Sequence, residues 1–451
     1  MTQPPTDLNP NIILIFCDDL GYGDLGCYES EVNSTPRLDQ MAAEGIRFTD
    51  FYVPAPLCTP SRAGLMTGCY PKRVGLAYGY RNGTLFPGDP LGLNPDELTL
   101  PSMLKSRGYS TKMVGKWHLG DQPEFLPTQH GFDSYFGLPY SNDMLPDHQN
   151  NEEFRFPPLP LVREDKVVDI DPNQASLTDS YLTEAVDFIR RNKNGPFFLY
   201  FAHMYVHIPI YAPHRFLVKS RNGPYGAAVE HIDHTTGVLL DTLTELGIDE
   251  NTLVLFVSDN GSGARNGGSN APLRGNKGST WEGGMREPCI ARWKGKIQPG
   301  SICSELATTM DLLPTLTDLA GGSLPSDRIT DGKDIRPLLF SEQGAVSPHE
   351  VFFYYRQNTL NAVRSGSWKL HLHEELLFNL EEDIGESKDC YKAHPDIVKR
   401  LTEYANACRE DLGDAGVGLP GQNCRPVGSV ENPKPLTSYD WTHPYMQAAY
   451  D

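Results

Sequence analysis

The stretch Asn11 to Asp19 reads NIILIFCDD. Its first six residues are a short apolar run rich in β-branched side chains, which predicts a buried strand. Phe197 to Phe201 (FFLYF) and Thr252 to Val257 (TLVLFV) read the same way. Helical patterns lie between these runs. Thr35 to Gly45 opens on a Thr cap with Pro in the first turn and stops at Gly. Leu177 to Asn192 is a second helix, and Ala227 to Leu246 a third, with Val229, Ile232, Leu239, Leu243 and Leu246 on one stripe. Buried strands alternating with helices predict an α/β fold, a large mixed sheet sandwiched by helices.

The pattern changes near residue 340. Val351 to Arg356, Asn361 to His373 and Leu376 to Leu380 read as successive antiparallel strands, and Pro395 to Glu410 as a helix. The expected division of the 451 residues is therefore a catalytic domain over 1–340 and a small α+β C-terminal subdomain over 341–451. The Gly- and Pro-rich tail from Asp411 should lie extended on the surface.

Lys and Arg number 39 against 58 Asp and Glu, a net charge of −19. That balance repels nucleic acid at long range, so an anionic substrate needs a local cationic pocket. No run of about 18 apolar residues is present, so no membrane span is expected. The first ten residues lack a basic flank and an apolar stretch, which reads as cytoplasmic for the chain as given. The nine cysteines include no CxxC pair, which argues against a zinc cage. Cys17 and Cys289 sit in or beside apolar stretches as small buried hydrophobes. The others could pair only in an oxidising compartment.

The first strand runs directly into Asp18 and Asp19. Neighbours on a strand point to opposite faces, so both carboxylates reach one point only where the chain leaves the strand. The following GYGD supplies glycines for that bend. The strand at Thr252 ends in Asp259, Asn260 and Gly261. Functional groups of open α/β sheets gather at such carboxyl ends. Three carboxylates and an amide oxygen suit a hard cation, calcium rather than zinc. Either pair alone could equally cap a following turn or helix.

Residues 56–68 read PLCTPSRAGLMTG, with Cys58-Thr-Pro-Ser-Arg62 at the centre. An Arg four residues after a lone Cys could lower a thiol pKa. Gly108 to Leu119 reads GYSTKMVGKWHL, and His207 to Pro209 (HIP), Ser258 to Gly261 (SDNG) and Gly275 to Pro288 (GNKGSTWEGGMREP) follow in order. Together these resemble the formylglycine-dependent sulfatase family, nearest its branch of arylsulfatase A and N-acetylgalactosamine-6-sulfatase, over about residues 10 to 380. The resemblance implies an alkaline-phosphatase-like sheet and hydrolysis of a sulfate ester, on a sulfated small molecule or saccharide. It implies that Cys58 is oxidised to formylglycine by a formylglycine-generating enzyme, and that one calcium ion is held by Asp18, Asp19, Asp259 and Asn260 together with modified Cys58. It also implies a periplasmic or secreted setting if a signal has been trimmed.

The resemblance further implies a role for each matching residue. Asp259 also takes the nucleophile's proton, and Arg62 steadies the formylglycine hydrate. Lys116 holds sulfate oxygens and His118, two residues on along an extended segment, deprotonates the remaining hydroxyl. His207 serves the leaving oxygen, Lys277 binds the sulfate and its bridging oxygen, and Ser141 lies near the sulfate. Substrate choice is expected from the loops Tyr78 to Pro90 and Asp143 to Pro158. His231 and His234, three apart on the third helix, read as helix surface or packing residues without an HExxH motif, and the sequons at Asn33, Asn82 and Asn260 as chance matches. Two alternatives stay open: a phosphodiesterase or phosphonate ester hydrolase of the same superfamily, and a non-catalytic binder of sulfated glycans in which Cys58 stays unmodified.

Overall fold

The apolar runs form the middle of one ten-stranded mixed sheet in the computed structural model, which describes residues 9–148, 151–263 and 266–438. Asn11–Cys17 lies at the centre, parallel to Thr252–Ser258 on one side and Phe197–Ala202 on the other. Ser110–Gly115 and Ser134–Gly137 extend the parallel run beyond Phe197–Ala202. On the far side of Thr252–Ser258 come antiparallel Cys289–Arg292, then Ile46–Phe48 and Ser301–Cys303. The hairpin of Pro160–Arg163 and Lys166–Ile170 closes the opposite edge.

The central strand is apolar at every position because both its faces are covered. Ile12, Leu14 and Phe16 enter one core, while Ile13, Ile15 and Cys17 enter another on the opposite face. Each such side chain, fully buried, contributes roughly 1.5–3 kcal/mol. Pro36–Ala43, Gln174–Asn192 and Gly223–Glu245 cover the second core through Leu38, Tyr181, Val229, Ile232 and Leu239. Cys58–Thr67, Leu100–Ser106 and Leu312–Leu319 cover the first through Leu65, Leu104 and Leu316. Thr35 occupies the expected cap position without capping: its hydroxyl accepts from Gly26 N–H (2.8 Å) and donates to Asp39 (3.1 Å). All nine cysteines are free thiols, with Cys17 and Cys289 in opposite cores.

A separate four-stranded antiparallel sheet follows, Phe352–Arg356, Thr359–Ser365, Trp368–His371 and Leu376–Asn379. The stretch 361–373, read as one strand, is the two inner strands folded back at Gly366, whose φ of 58° a side chain would resist. Helix Pro395–Asp411 packs on this sheet, but the sheet does not own its core: Leu401 and Ala405 share a cluster with Tyr52, Tyr70 and Met285 of the large domain. From Asp411 the chain returns across the large domain. Gly428–Ser429 pairs with Leu91–Gly92, and Arg425 meets Glu97 at 2.7 Å. Residues 1–8, read as lacking a signal, and the tail's end at 439–451 lie outside the described residues. No described helix is long and apolar enough to cross a membrane.

Candidate active site

The central parallel strands end at one edge of the sheet, and each leads into a candidate residue. In strand order these are Asp259 and Asn260 after Ser258, Asp18 and Asp19 after Cys17, and His207 five residues beyond Ala202. Then come Lys116 and His118 after Gly115, and Ser141 beyond Gly137. The chain does leave the first strand at the acidic pair, but the glycines do not make the bend. Asp19 itself takes a left-handed φ of 62°, held by its N–H on Asp259 Oδ1 (3.1 Å). Gly21 (φ −76°) and Gly23 (φ −91°) instead permit close contact. A Cβ on Gly21 would lie 2.3 Å from Ser269 O, and one on Gly23 2.6 Å from Ala271 O.

Asp18, Asp19, Cys58 and Asp259 bring one ligand atom each to within 4.8 Å of one another. Asn260 sends its amide N–H to Asp19 (2.7 Å) and leaves Oδ1 buried without a hydrogen-bond partner. A buried acceptor without a donor is costly, and a hard cation would satisfy it. The donor set therefore fits calcium. Three cations already brace these acids: Lys116 Nζ lies 2.5 Å from Asp18, Lys277 Nζ 2.6 Å from Asp19, and Arg62 donates twice to Asp259 Oδ2 (2.8 and 3.1 Å). Three carboxylates and three cations cancel, so a dication there would leave a local surplus of positive charge for an anion. Burial, then the Asp18 charge, pushes Asp259 up to about 7. Burial works the same way on Asp18, but Lys116 above all, then His207 and Arg62, holds it well below the usual carboxylate range.

Cys58 opens the fully buried helix Cys58–Thr67, which stops at Gly68 (φ 64°). Its thiol donates to Asp18 Oδ1 (3.4 Å) and accepts from Lys277 Nζ (3.5 Å). Asp18, and not Asp259, accepts from the thiol, and both Asp259 oxygens take donors from Arg62 and Asp19. Arg62 likewise turns to the carboxylates and to the Lys116 carbonyl (2.9 Å) instead of to the Cys58 side chain. Burial and the Asp18 charge push the thiol up, the reverse of the lowered pKa expected from a neighbouring Arg.

Lys116 and His118 both reach the site, though not by strand alternation. The strand ends at Gly115 (φ 104°), and His118 takes a left-handed φ of 65°. Lys116 donates to Ser141 Oγ (3.3 Å), which lies 3.4 Å from His207 Nδ1. His118 Nε2 is 3.0 Å from the Leu85 carbonyl. A carbonyl only accepts, so Nε2 carries the proton and the buried, unpartnered Nδ1 presents a lone pair. Burial, then Lys116 and Arg62, holds His118 well below the usual histidine range, so the ring is neutral. His207 Nδ1 faces its neighbour's carbonyl, Ile208 O (2.6 Å), which fixes the proton there and leaves Nε2, 3.8 Å from Asp19, as the working nitrogen.

A cavity of about 320 Å³ opens above Cys58, His118, Ser141, His207 and Lys277. Its outer wall joins the two loops named for substrate choice. Asn82 and Phe86 come from one; Asp143, His148, Phe154 and Phe156 come from the other, whose residues 149–150 lie outside the described set. The three Phe rings pack together with centroids 5.0–5.3 Å apart. The sequence named these loops but none of the three Phe rings; the FRF spacing of Phe154 and Phe156 was the available signal. His231 packs as expected, 2.9 Å from Asp179 and stacked on Phe216. Asn33 is buried with its amide on Asp24 O (3.0 Å).

The family model described as Sulfatase matches residues 10–323. N-acetylgalactosamine-6-sulfatase of Rattus norvegicus is 44% identical over 378 residues, covering 80% of this chain and 71% of its own. Arylsulfatase A of Homo sapiens is 39% identical over 450 residues, covering 94% and 85%. Among solved structures, Ps i-CgsB in complex with k-i-k-neocarrahexaose superposes with a TM-score of 0.79 at 31% identity, over 88% of this chain and 92% of its own. A phosphonate monoester hydrolase of Agrobacterium radiobacter, at 18% identity and a TM-score of 0.63 over 88% and 94%, shares the fold.

Proposed function

This chain belongs to the sulfatase family and is a sulfuric ester hydrolase; from that premise we propose that it desulfates a saccharide, using formylglycine made from Cys58 and a calcium ion held by Asp18, Asp19, Asp259 and Asn260. The observation that carries this reading is the buried cluster of Asp18, Asp19, Cys58 and Asp259, with Asn260 Oδ1 unpartnered beside it and Cys58 lining a cavity. Hydrated formylglycine supplies a hydroxyl nucleophile for sulfur, and calcium supplies positive charge for the sulfate oxygens. The chain's own groups do the rest. Asp259 takes the proton of the attacking hydroxyl, with Asp18 Oδ1, the acceptor for Cys58, beside it. Lys277, between Asp19 and Cys58, and Lys116, beside Ser141, orient the ester's oxygens. His207 Nε2 protonates the departing sugar oxygen, which requires the imidazolium since Nδ1–H is committed to Ile208 O. The bare Nδ1 of neutral His118 would accept a proton from the modified residue's second hydroxyl.

The saccharide assignment draws on the N-acetylgalactosamine-6-sulfatase relative, on the solved complex with neocarrahexaose and on the cavity wall. Three clustered Phe rings suit the apolar face of a pyranose, and Asp143 Oδ1, without a hydrogen-bond partner, suits a hydroxyl. The test uses protein made together with a formylglycine-generating enzyme. The peptide holding Cys58 should carry oxygen in place of sulfur and two hydrogens, and defined sulfated saccharides should be desulfated. Chelation should remove activity, and calcium should restore it better than zinc. Unmodified Cys58 with undiminished turnover, full activity after exhaustive chelation, or faster turnover of aryl phosphates than of any sulfate would each overturn it.

A further inference from the structure

Lys277 sits on a loop of irregular backbone, with positive φ at Gly275 (89°) and Gly278 (82°). Among the described residues, its middle is tied to the large domain by Lys277 N–H to Ser262 O (3.1 Å), Gly278 N–H to Pro56 O (2.9 Å) and the Asn270 amide to Gly275 O (3.1 Å). Both ends of the loop are gripped by the C-terminal subdomain. Buried Lys369, on strand Trp368–His371, donates to Thr280 O (2.8 Å) and to Glu282 (2.9 Å), and also meets Glu386 (2.9 Å). Glu386 accepts from Glu282 N–H (2.8 Å), and its backbone oxygen accepts from Arg274 (2.8 Å). Trp281 lies between the His371 ring, 4.1 Å away, and the Arg274 guanidinium, 3.7 Å above it. His371 is in turn bonded to Glu386 (2.8 Å).

We infer that the C-terminal subdomain is a positioning device for Lys277, acting through Lys369 and Glu386 on the loop's backbone and through the Trp281 stack. None of these groups reaches the reacting atoms, so they are positioning residues. The reason such a device is needed is geometric. The Lys277 ammonium must stay within hydrogen-bond reach of both Asp19 and Cys58, and an error near 1 Å in a working group costs about 100-fold in rate. Glycines on either side of Lys277 cannot supply that rigidity, whereas a buried, fully paired ion cluster can.

This inference rests on the role given to Lys277, so the test separates the two. Trp281→Ala, Trp281→Phe and Arg274→Met are made in the full matured chain, each with and without Lys277→Ala. For each, kcat and KM on a sugar sulfate and the thermal midpoint are measured. Trp281→Ala should lower kcat/KM about 10-fold to 100-fold, mainly through kcat, and Trp281→Phe should recover most of it by restoring the stack. In the Lys277→Ala background the same change should cost less than about 2-fold, because the group it positions is gone. Equal losses in both backgrounds, or no loss in a folded Trp281→Ala, would overturn the inference. Should Trp281→Ala fail to fold, exposed Arg274→Met carries the same cycle with an expected loss of about 3-fold to 10-fold, and additivity with Lys277→Ala again counts against it. Wild-type rates in Lys277→Ala itself would remove the role of Lys277 and the positioning device together.

Discussion

Two buried ionic clusters in this protein have the same inventory, three acids and three strong cations. In the active site these are Asp18, Asp19 and Asp259 with Arg62, Lys116 and Lys277; under the Lys277 loop they are Asp50, Glu282 and Glu386 with Arg286, Arg364 and Lys369. The second is saturated. Asp50 takes Arg286 (2.7 Å) and Arg364 (2.8 Å), while Glu282 takes Lys369 (2.9 Å) and the hydroxyls of Tyr52 (2.5 Å) and Tyr354 (2.9 Å). Burial alone would raise Glu282, but Lys369, then Arg286 and Arg364, holds it far below the usual carboxylate range. The first cluster is unsaturated. Asn260 Oδ1 and His118 Nδ1 are buried without partners, Asp259 is pushed up to about 7 by burial and Asp18, and of this cluster Lys277 reaches the cavity above Cys58. Equal charge counts thus serve opposite ends. A cluster whose members satisfy one another stabilises the fold, and a cluster with open valences keeps them for a ligand.

The largest effect that would sharpen this contrast is at the nucleophile. Cys58→Ala should lower turnover about 10,000-fold or more while leaving the thermal midpoint nearly unchanged, since the thiol is a spectator to stability. Residual activity above about one tenth of wild type would break the covalent scheme on that side of the comparison.

Next comes the leaving group. A sugar alkoxide needs a proton as the bond to sulfur breaks, and a nitrophenolate scarcely does. His207→Ala should therefore cost about 100-fold to 10,000-fold in kcat/KM on a sugar sulfate and far less on nitrophenyl sulfate. Equal losses on the two would make His207 a sulfate-positioning group and move the acid role to Lys277.

The smallest expected effect tests the saturated cluster by stability. Glu282→Gln leaves Lys369 and its arginine neighbours short of a partner, so urea unfolding at neutral pH should show a loss of about 3 kcal/mol. The pH dependence has a definite sign. Because the folded-state pKa is lowered, the stabilisation by Glu282 is complete above the ordinary glutamate pKa near ~4.3 and fades as pH falls below it. Wild type and Glu282→Gln should accordingly converge in acid. A constant gap from neutral pH to about pH 3.5 would mean that the cost is steric and not ionic.

Much of the sheet was legible because its central strands are apolar on both faces, and NIILIF, FFLYF and TLVLFV have no other way to be buried. The residues directly following those strands were legible for the same reason, since the chain has nowhere to emerge except at the sheet's edge. The hairpin at Gly366 was not, because a strand, a two-residue turn and a second strand in Asn361 to His373 share one apolar alternation. The bend at Asp19 was placed correctly but attributed to the wrong residues. A carboxylate side chain can hold a left-handed backbone when a neighbouring group fixes it, and that neighbour, Asp259, is 240 positions away.

By itself the sequence determined the order of buried strands, the acidic and basic residues beyond their ends, and the Cys58 motif, because these depend on local apolarity and on residue type. Only the tertiary structure decided that Asp18 and not Asp259 faces the Cys58 thiol, that Arg62 braces carboxylates, and that Phe86 and Phe154 share a wall. It alone decided that strand Trp368–His371 holds the Lys277 loop through Lys369. The physical reason is that hydrogen bonds and ion pairs form between whichever donors and acceptors the packed sheet brings within about 3 Å, and that proximity is set by strand order and not by position along the chain.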